Sequence, residues 1–178
     1  GTGWTRPGSG DISIANGNDR RVCGQAMPKV LLGSNVNFRY RQWDVALQVN
    51  GAFGHKIYNG TALTYMNMNS LPGYNVLADA PAMNIKDQTA TDYWLERGDY
   101  VHFDYLTLGW NVPLRQKTRR TVSNLRLSLT VNDLGTITGY SGLTPMINSS
   151  SAGATLGVDD KNIYPVTRSY YLGVTVTF

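Results

Sequence analysis

Asp92, Glu96 and Asp99 lie within one short stretch, the kind of grouping from which glycoside hydrolysis draws its two carboxylates. Nothing in the spacing sets the separation of the carboxyl groups, and hydrogen bonding within a loop at the entry of a strand is the preferred reading. His55 and His102 are the only histidines, and neither has partners at metal-ligand spacing; surface polar roles are expected of both. Asp159-Asp160 could meet a cation but lacks the further spaced oxygen ligands that a calcium loop requires. Cys23 is the single cysteine, which excludes an intrachain disulfide and a thiolate metal cluster. There is no phosphate loop and no nucleophile elbow. The expectation is a protein that is not an enzyme, with no metal and no cofactor. Binding is the chemistry that remains. Tyr58, Tyr65, Tyr74, Trp94 and Tyr140 fall in long connections or at their ends, and exposed aromatic faces there would stack on sugar rings or pack on a partner.

The elements that position these residues follow from alternation. Leu32, Ser34, Val36, Phe38 and Tyr40 alternate with Gly33, Asn35, Asn37 and Arg39, and Trp43, Val45, Leu47, Val49 and Phe53 repeat the pattern after Arg41-Gln42. So tight a turn predicts an antiparallel hairpin. A third strand is predicted over residues 98–112, with a phase slip that implies a bulge near Asp104. A fourth places Leu125, Leu127, Leu129 and Val131 opposite Asn124, Arg126, Ser128 and Asn132. The fifth, Arg168–Phe178, sets Tyr170, Leu172, Val174, Val176 and Phe178 against Ser169, Tyr171, Gly173, Thr175 and Thr177. Strict period two gives each strand one apolar and one polar face. The fifth, at eleven residues, has about the 9–11 that a tilted strand needs to cross a bilayer.

Short turns join strands one to two and three to four, whereas residues 1–28, about 45 residues after strand two, and residues 137–167 read as long loops. The first long stretch has a turn at Asn16-Gly17 and the second has no sustained helical period. Short turns at one end and long loops at the other are the habit of outer-membrane barrels, with the short side periplasmic. Tyr40 and Trp43 flank a short turn as an aromatic girdle would, joined by Trp110, Tyr170 and Phe178. Gln48, Asn50, Asn124 and Arg126 on the polar face would line a lumen, since a mid-strand charge facing lipid costs about 2–4 kcal/mol. Mean hydropathy is −0.26, which says little for a barrel because the two faces cancel. The net charge of +4 is concentrated at Arg115, Lys117, Arg119 and Arg120, a solvated turn with no interleaved aromatics, so nucleic-acid binding is not expected. Five strands do not close a barrel. The chain is therefore expected to be the last portion of a larger barrel, with its C-terminus periplasmic and its N-terminal part elsewhere.

Four blocks carry a family resemblance. Asp19 to Asn59 (DRRVCGQAMPKVLLGSNVNFRYRQWDVALQVNGAFGHKIYN), Thr91 to Pro113 (TDYWLERGDYVHFDYLTLGWNVP), Leu125 to Pro145 (LRLSLTVNDLGTITGYSGLTP) and Tyr164 to Phe178 (YPVTRSYYLGVTVTF) resemble, in order, the C-terminal barrel segment of SusC/RagA-type TonB-dependent transporters. The segment before Asp19 departs from the acidic stretch common there. The resemblance implies an all-β chain, the last five strands of a roughly 22-stranded antiparallel transmembrane barrel, with residues 1–28 an extracellular segment and 29–178 barrel. It implies import of glycans or peptides, with the remainder of the barrel and its plug, a SusD-like surface lipoprotein, TonB, and membrane lipid and lipopolysaccharide as partners. A soluble carbohydrate-binding β-sandwich is the alternative; it would share the tyrosines and the alternation but would have to bury its apolar faces in its own core.

Overall fold

The structure, a computed structural model, describes residues 22–83, 85, 90–114, 121–147, 156–161 and 163–178. The Asn16-Gly17 turn and the basic run at 115–120 lie outside the described residues.

Five long strands form one antiparallel sheet in the order β1 (Val30–Tyr40), β2 (Trp43–Phe53), β5 (Tyr100–Asn111), β6 (Asn124–Thr138) and β8 (Ser169–Thr177). Their ladder registers align the apolar residues in rows that cross the whole sheet. Tyr40, Trp43, Trp110, Leu127 and Val174 make one row; Phe38, Val45, Leu108, Leu129 and Leu172 make the next; Val36, Leu47, Leu106, Val131 and Tyr170 a third. A one-residue slip in any strand would send its entire apolar set to the other side. The one interruption is at Asp104. Both ladders of β5 shift register there, between Phe103 and Tyr105 on the β6 side and opposite Gln48 and Val49 on the β2 side. The bulge expected near Asp104 is present. β6 runs on to Thr138, six residues past the point where its alternation is clean, because the extra residue lets it follow β5 to its start.

The connection from β2 to β5 is more ordered than its lack of helical period suggests. It contains β3 (Lys56–Asn59), α1 (Gly60–Tyr65), α2 (Ala80–Met83) and β4 (Leu95–Arg97), with single 3-10 turns at Met68–Ser70 and Asp92–Trp94. β3 pairs antiparallel with β4 and parallel with β7 (Val158–Asp159), giving a small second sheet beyond the ends of β2 and β5. These elements are too short to show a period, so alternation did not reveal them. Asn59 starts α1 by accepting the Ala62 amide proton on its side chain, the preferred N-cap chemistry.

Apart from Ala52 near the end of β2, the buried apolar residues sit in this end layer. Ile57, Ala62, Ala80, Trp94 and Tyr140 are buried there, whereas the apolar rows of the five-stranded sheet have no cover among the described residues: Phe38 is 62%, Val174 67% and Leu172 86% exposed. A sandwich would have packed a second sheet over those rows. Soluble monomers rarely leave so large a contiguous apolar surface open. Among the described residues no helix is long and apolar enough to cross a membrane.

The polar face holds a long-range ion pair. Arg126 of β6 reaches over β5 to Asp44 of β2, with Nη2 2.5 Å from Oδ2. Gly109 of β5 lies beneath, and a Cβ there would come within 2.6 Å of Asp44 Oδ1. The missing side chain is what opens the path for the guanidinium.

Neighbouring residues of β1 test the two faces. Val36→Lys places a charge in an apolar row and is expected to cost about 2–4 kcal/mol in a hydrocarbon environment, read as a lowered urea midpoint of the intact barrel refolded in lipid. Asn37→Lys, one residue on, is expected to leave the midpoint within experimental error. Equal effects from the two would remove the distinction between the faces.

Candidate functional site

Two regions gather polar and aromatic side chains: the polar face of the five-stranded sheet, and the small-sheet layer at its end.

On the polar face a chain of hydrogen bonds crosses four strands. Asn37 donates to Asn35, whose amide donates to Gln48 Oε1 at 2.8 Å and to the Tyr105 hydroxyl oxygen at 3.0 Å. Gln48 donates to Asn50 at 3.5 Å, and Asn50 donates to Asp104. Asp104 lies 3.4 Å from His102 Nε2, as does Asp133 of β6, while His102 Nδ1 and Thr136 Oγ1 are 2.8 Å apart. Asp104 is the bulged residue, so the irregularity that breaks two ladders also delivers a carboxylate to His102. His102 is 4% and His55 7% exposed, which corrects the expectation that both histidines are surface residues. The contact with Asp133 spans two strands and had no signal in local spacing. Of the residues expected to line a lumen, Gln48 and Asn50 belong to this network, Arg126 is paired with Asp44, and Asn124 is exposed at the end of β6. Trp43 and Trp110 stack at 5.6 Å between centroids, and the Arg41 guanidinium lies over Tyr40. Tyr170 and Phe178 are exposed, in β8 and just beyond it.

The end layer is built on two carboxylates. Asp159, 1% exposed, accepts hydrogen bonds from Thr61 Oγ1 at 2.5 Å, Tyr140 Oη at 2.7 Å and the Lys161 amide at 3.2 Å. Glu96 accepts from Asn59 Nδ2 at 2.8 Å and from the Ser141 amide and hydroxyl at 2.8 and 2.6 Å. Together they tie β3, α1, β4, β7 and the segment after β6 into one body. Burial first, then the hydrogen bond to Asp159, raises the pKa of the Tyr140 phenol, which stays a donor. Asp99 takes the Gly54 amide at 2.6 Å and pairs with Arg97 at 2.8 Å. Gly54 has φ +81°, a conformation natural to glycine, and the turn aims its N–H at Asp99. Asp92 Oδ2 lies 3.8 Å from Cys23 Sγ. The three acidic residues of the 92–99 stretch thus serve three different sets of partners, in the structural role expected of them. Among the described residues no group of three His, Cys, Asp or Glu side chains is arranged to hold a metal ion.

The aromatic residues expected in contact roles divide. Trp94 and Tyr140 are 5% and 6% exposed; they pack the layer, which corrects the expectation of open stacking faces. Tyr58 is half-buried, its buried hydroxyl has no hydrogen-bond partner among the described residues, and burial raises its pKa. Tyr65 meets the exposed Tyr74 edge to face at 6.1 Å, and Lys161 Nζ lies 5.4 Å from the Tyr74 ring. Tyr93, which the sequence reading passed over, is exposed and braced edge to face on Trp94 at 4.9 Å. Its place one residue before a buried tryptophan in a single 3-10 turn was the available signal.

No family model matches the chain. It is 26% identical over 185 residues to TonB-dependent receptor P3 of Formosa agariphila, an alignment that takes in 96% of this chain and 18% of the receptor. Its fold matches the RagAB peptide transporter at TM-score 0.67 and 18% identity, over 89% of this chain and 18% of that one. The RagAB peptide importer in its closed-closed state matches at TM-score 0.68, with the same coverage. The chain therefore spans about a fifth of the length of the relatives it matches. The resemblance to SusC/RagA-type TonB-dependent transporters holds, the sheet is similar in fold to part of the RagAB structures, and the relatives are named as a receptor, a transporter and an importer.

Two outcomes test this layer. Tyr140→Phe removes a buried donor from Asp159 and is expected to cost about 1–3 kcal/mol locally. Amide exchange at residues 156–161 and 57–66 of the intact protein should then quicken while β5 stays protected; unchanged exchange would show that the bond contributes nothing. Asp99 has a pKa lowered by the Gly54 amide first and Arg97 second. Its stabilising effect is therefore full above the ordinary carboxylate pKa of about 3.9 and lost as pH falls through the lower, folded value. Corrected for intrinsic rate, exchange at Gly54 should rise only below the ordinary carboxylate range, and in Asp99→Ala, which has no acceptor, it should be fast and independent of pH.

Proposed function

We propose that the chain is part of the barrel wall of a TonB-dependent outer-membrane importer of oligomeric nutrients. The observation that carries this is the apolar face: five antiparallel strands whose apolar rows run from edge to edge with none of the described residues packed over them. Strands of 9 to 15 residues are long enough to cross a bilayer when tilted. Likeness along 96% of the chain to a TonB-dependent receptor supports the same reading.

In this reading residues 29–178 are barrel and residues 1–28 an extracellular segment, with the hairpin turn at Arg41-Gln42 and the C-terminus on the periplasmic side. Tyr40, Trp43, Trp110, Tyr170 and Phe178 meet the membrane interfaces. Gln48, Asn50, Asn124 and Arg126 face the lumen. The barrel is completed by further strands and a plug, energised through TonB, and capped by a SusD-like lipoprotein, with lipid and lipopolysaccharide around it. The cargo is a peptide or a glycan; the solved neighbours are a peptide transporter and a peptide importer. Tyr74 and Tyr93 offer the open aromatic faces of the end layer, with Tyr58 and Tyr65 beneath.

Deleting the complete gene in its source bacterium is expected to abolish uptake of a labelled oligopeptide or a labelled oligosaccharide. Complementation with the Tyr74→Ala/Tyr93→Ala variant should restore the barrel but weaken cargo binding about fivefold or more, the loss expected for two aromatic contacts at about 0.5–1.5 kcal/mol each. Undiminished uptake of both cargo classes after deletion would refute import.

A further inference from the structure

A cavity of about 660 Å³ opens where the two sheets meet, on the side of edge strand β1. That volume is typical of small-ligand sites. Its walls come from four parts of the chain held together by the backbone. The Lys29 amide bonds the Phe53 carbonyl at 2.9 Å, the Lys56 amide bonds the Gln25 carbonyl at 2.8 Å, and the Gly98 amide bonds the His55 carbonyl at 3.0 Å. Among the described residues the charged groups on its wall are Lys29, Lys56, Arg97 and Asp99, an excess of two positive charges.

The one carboxylate is already engaged. Asp99 Oδ1 takes the Gly54 amide, and Oδ2 takes the Arg97 Nε and Nη2 protons at 3.2 and 2.8 Å. Neither lysine has a carboxylate partner among the described residues, although their stems are seated, Lys29 against Gly54 and Lys56 against Gly24. His55 also lines the cavity, and its buried Nδ1 has no hydrogen-bond partner among the described residues. Buried polar atoms are rarely left this way unless a partner is missing. Burial lowers the pKa of His55, so at neutral pH the ring offers one N–H and one acceptor rather than a charge.

We propose that this cavity binds an oxyanion, a carboxylate or sulfate group borne by a soluble ligand, held by Lys29 and Lys56 with Arg97 at its edge. Two lysines on one cavity wall suit a compact anion, since charge-assisted hydrogen bonds are the strong ones and lysine contributes three mobile donors. Asp99 is a positioning residue here: it fixes Arg97 at the rim and holds the Gly54 turn. The proposal goes beyond the import reading, which stands or falls separately on uptake.

The test uses the intact transporter in detergent, with sodium sulfate as the probe and sodium chloride at matched ionic strength as the control. Wild type is expected to show a saturable rise of its thermal midpoint with sulfate that chloride does not give. Lys29→Gln/Lys56→Gln should raise the half-saturating sulfate concentration about tenfold or more, the loss expected for hydrogen bonds to a charged group. Lys29→Arg/Lys56→Arg, which keeps both charges, should retain the response and so separates loss of binding from loss of folding. Acetate at higher concentration should compete. Identical midpoints in sulfate and chloride, or an unchanged response in the double glutamine variant, would overturn the proposal. So would a wild type that gives no sulfate response yet carries lipopolysaccharide, by native mass spectrometry, that the double glutamine variant has lost; the lysines would then be contacts to lipid.

Discussion

Backbone pairing and side-chain alternation act together in the five-stranded sheet, and the rest of the chain is arranged around the consequence. Each strand satisfies its backbone groups laterally, and its register keeps every apolar residue in a common row. In hydrocarbon only lateral or intrahelical pairing can satisfy those groups, so a sheet of this kind suits a membrane wall. The same order that makes the apolar face continuous leaves it unable to serve as an internal core. Cores need two apolar surfaces turned toward each other. The chain finds its core instead in the end layer, where Ile57, Trp94 and Tyr140 are buried.

That displacement explains why the end layer relies on buried polar groups. A small sheet with two short helices has little apolar surface to bury, and Asn59, Asn67 and Asp159 are among its most enclosed side chains. A buried carboxylate is costly without donors. Asp159 has three, from three separate segments, and Glu96 gathers three more. Removing any one donor leaves charge undersatisfied, which makes the network demanding about geometry. The result is a defined platform on which Tyr74 and Tyr93 are the open aromatic faces.

The sheet was legible in the sequence because its signal is periodic and long. All five long strands, the hairpin at Arg41-Gln42 and the bulge at Asp104 could be read from alternation and its one phase slip. The end layer was not legible for the opposite reason. β3, β4 and β7 have four, three and two residues, too few to display any period. Their pairing joins Tyr58 to Val158 across the length of a domain, a contact without local signature. Trp94 and Tyr140 looked like exposed binding residues because aromatic residues in loops are ambiguous: the same ring stacks on a ligand or fills a core. For Tyr140 what decided between these was a partner, Asp159, that only the tertiary arrangement supplies.

The polar face carries the corresponding constraint in electrostatic form. Arg126 and Asp44 come from strands that are not neighbours, and their pairing depends on Gly109 between them. A wall that needed only to be wet would be served by neutral side chains, as it is along Asn35, Gln48 and Asn50. An ion pair in partly buried surroundings contributes little net stability, but losing one partner is expensive because the other charge is left unmatched. Its effect is therefore on register: β2, β5 and β6 can share this bridge only when the glycine lies directly under it. The bulge at Asp104 acts in the opposite sense, admitting an extra residue further along the same strand. One end of β5 is pinned by a residue that lacks a side chain, the other is released by a residue that lacks a ladder partner. Between them they set how the wall carries the end layer, and with it the cavity at Lys29 and Lys56.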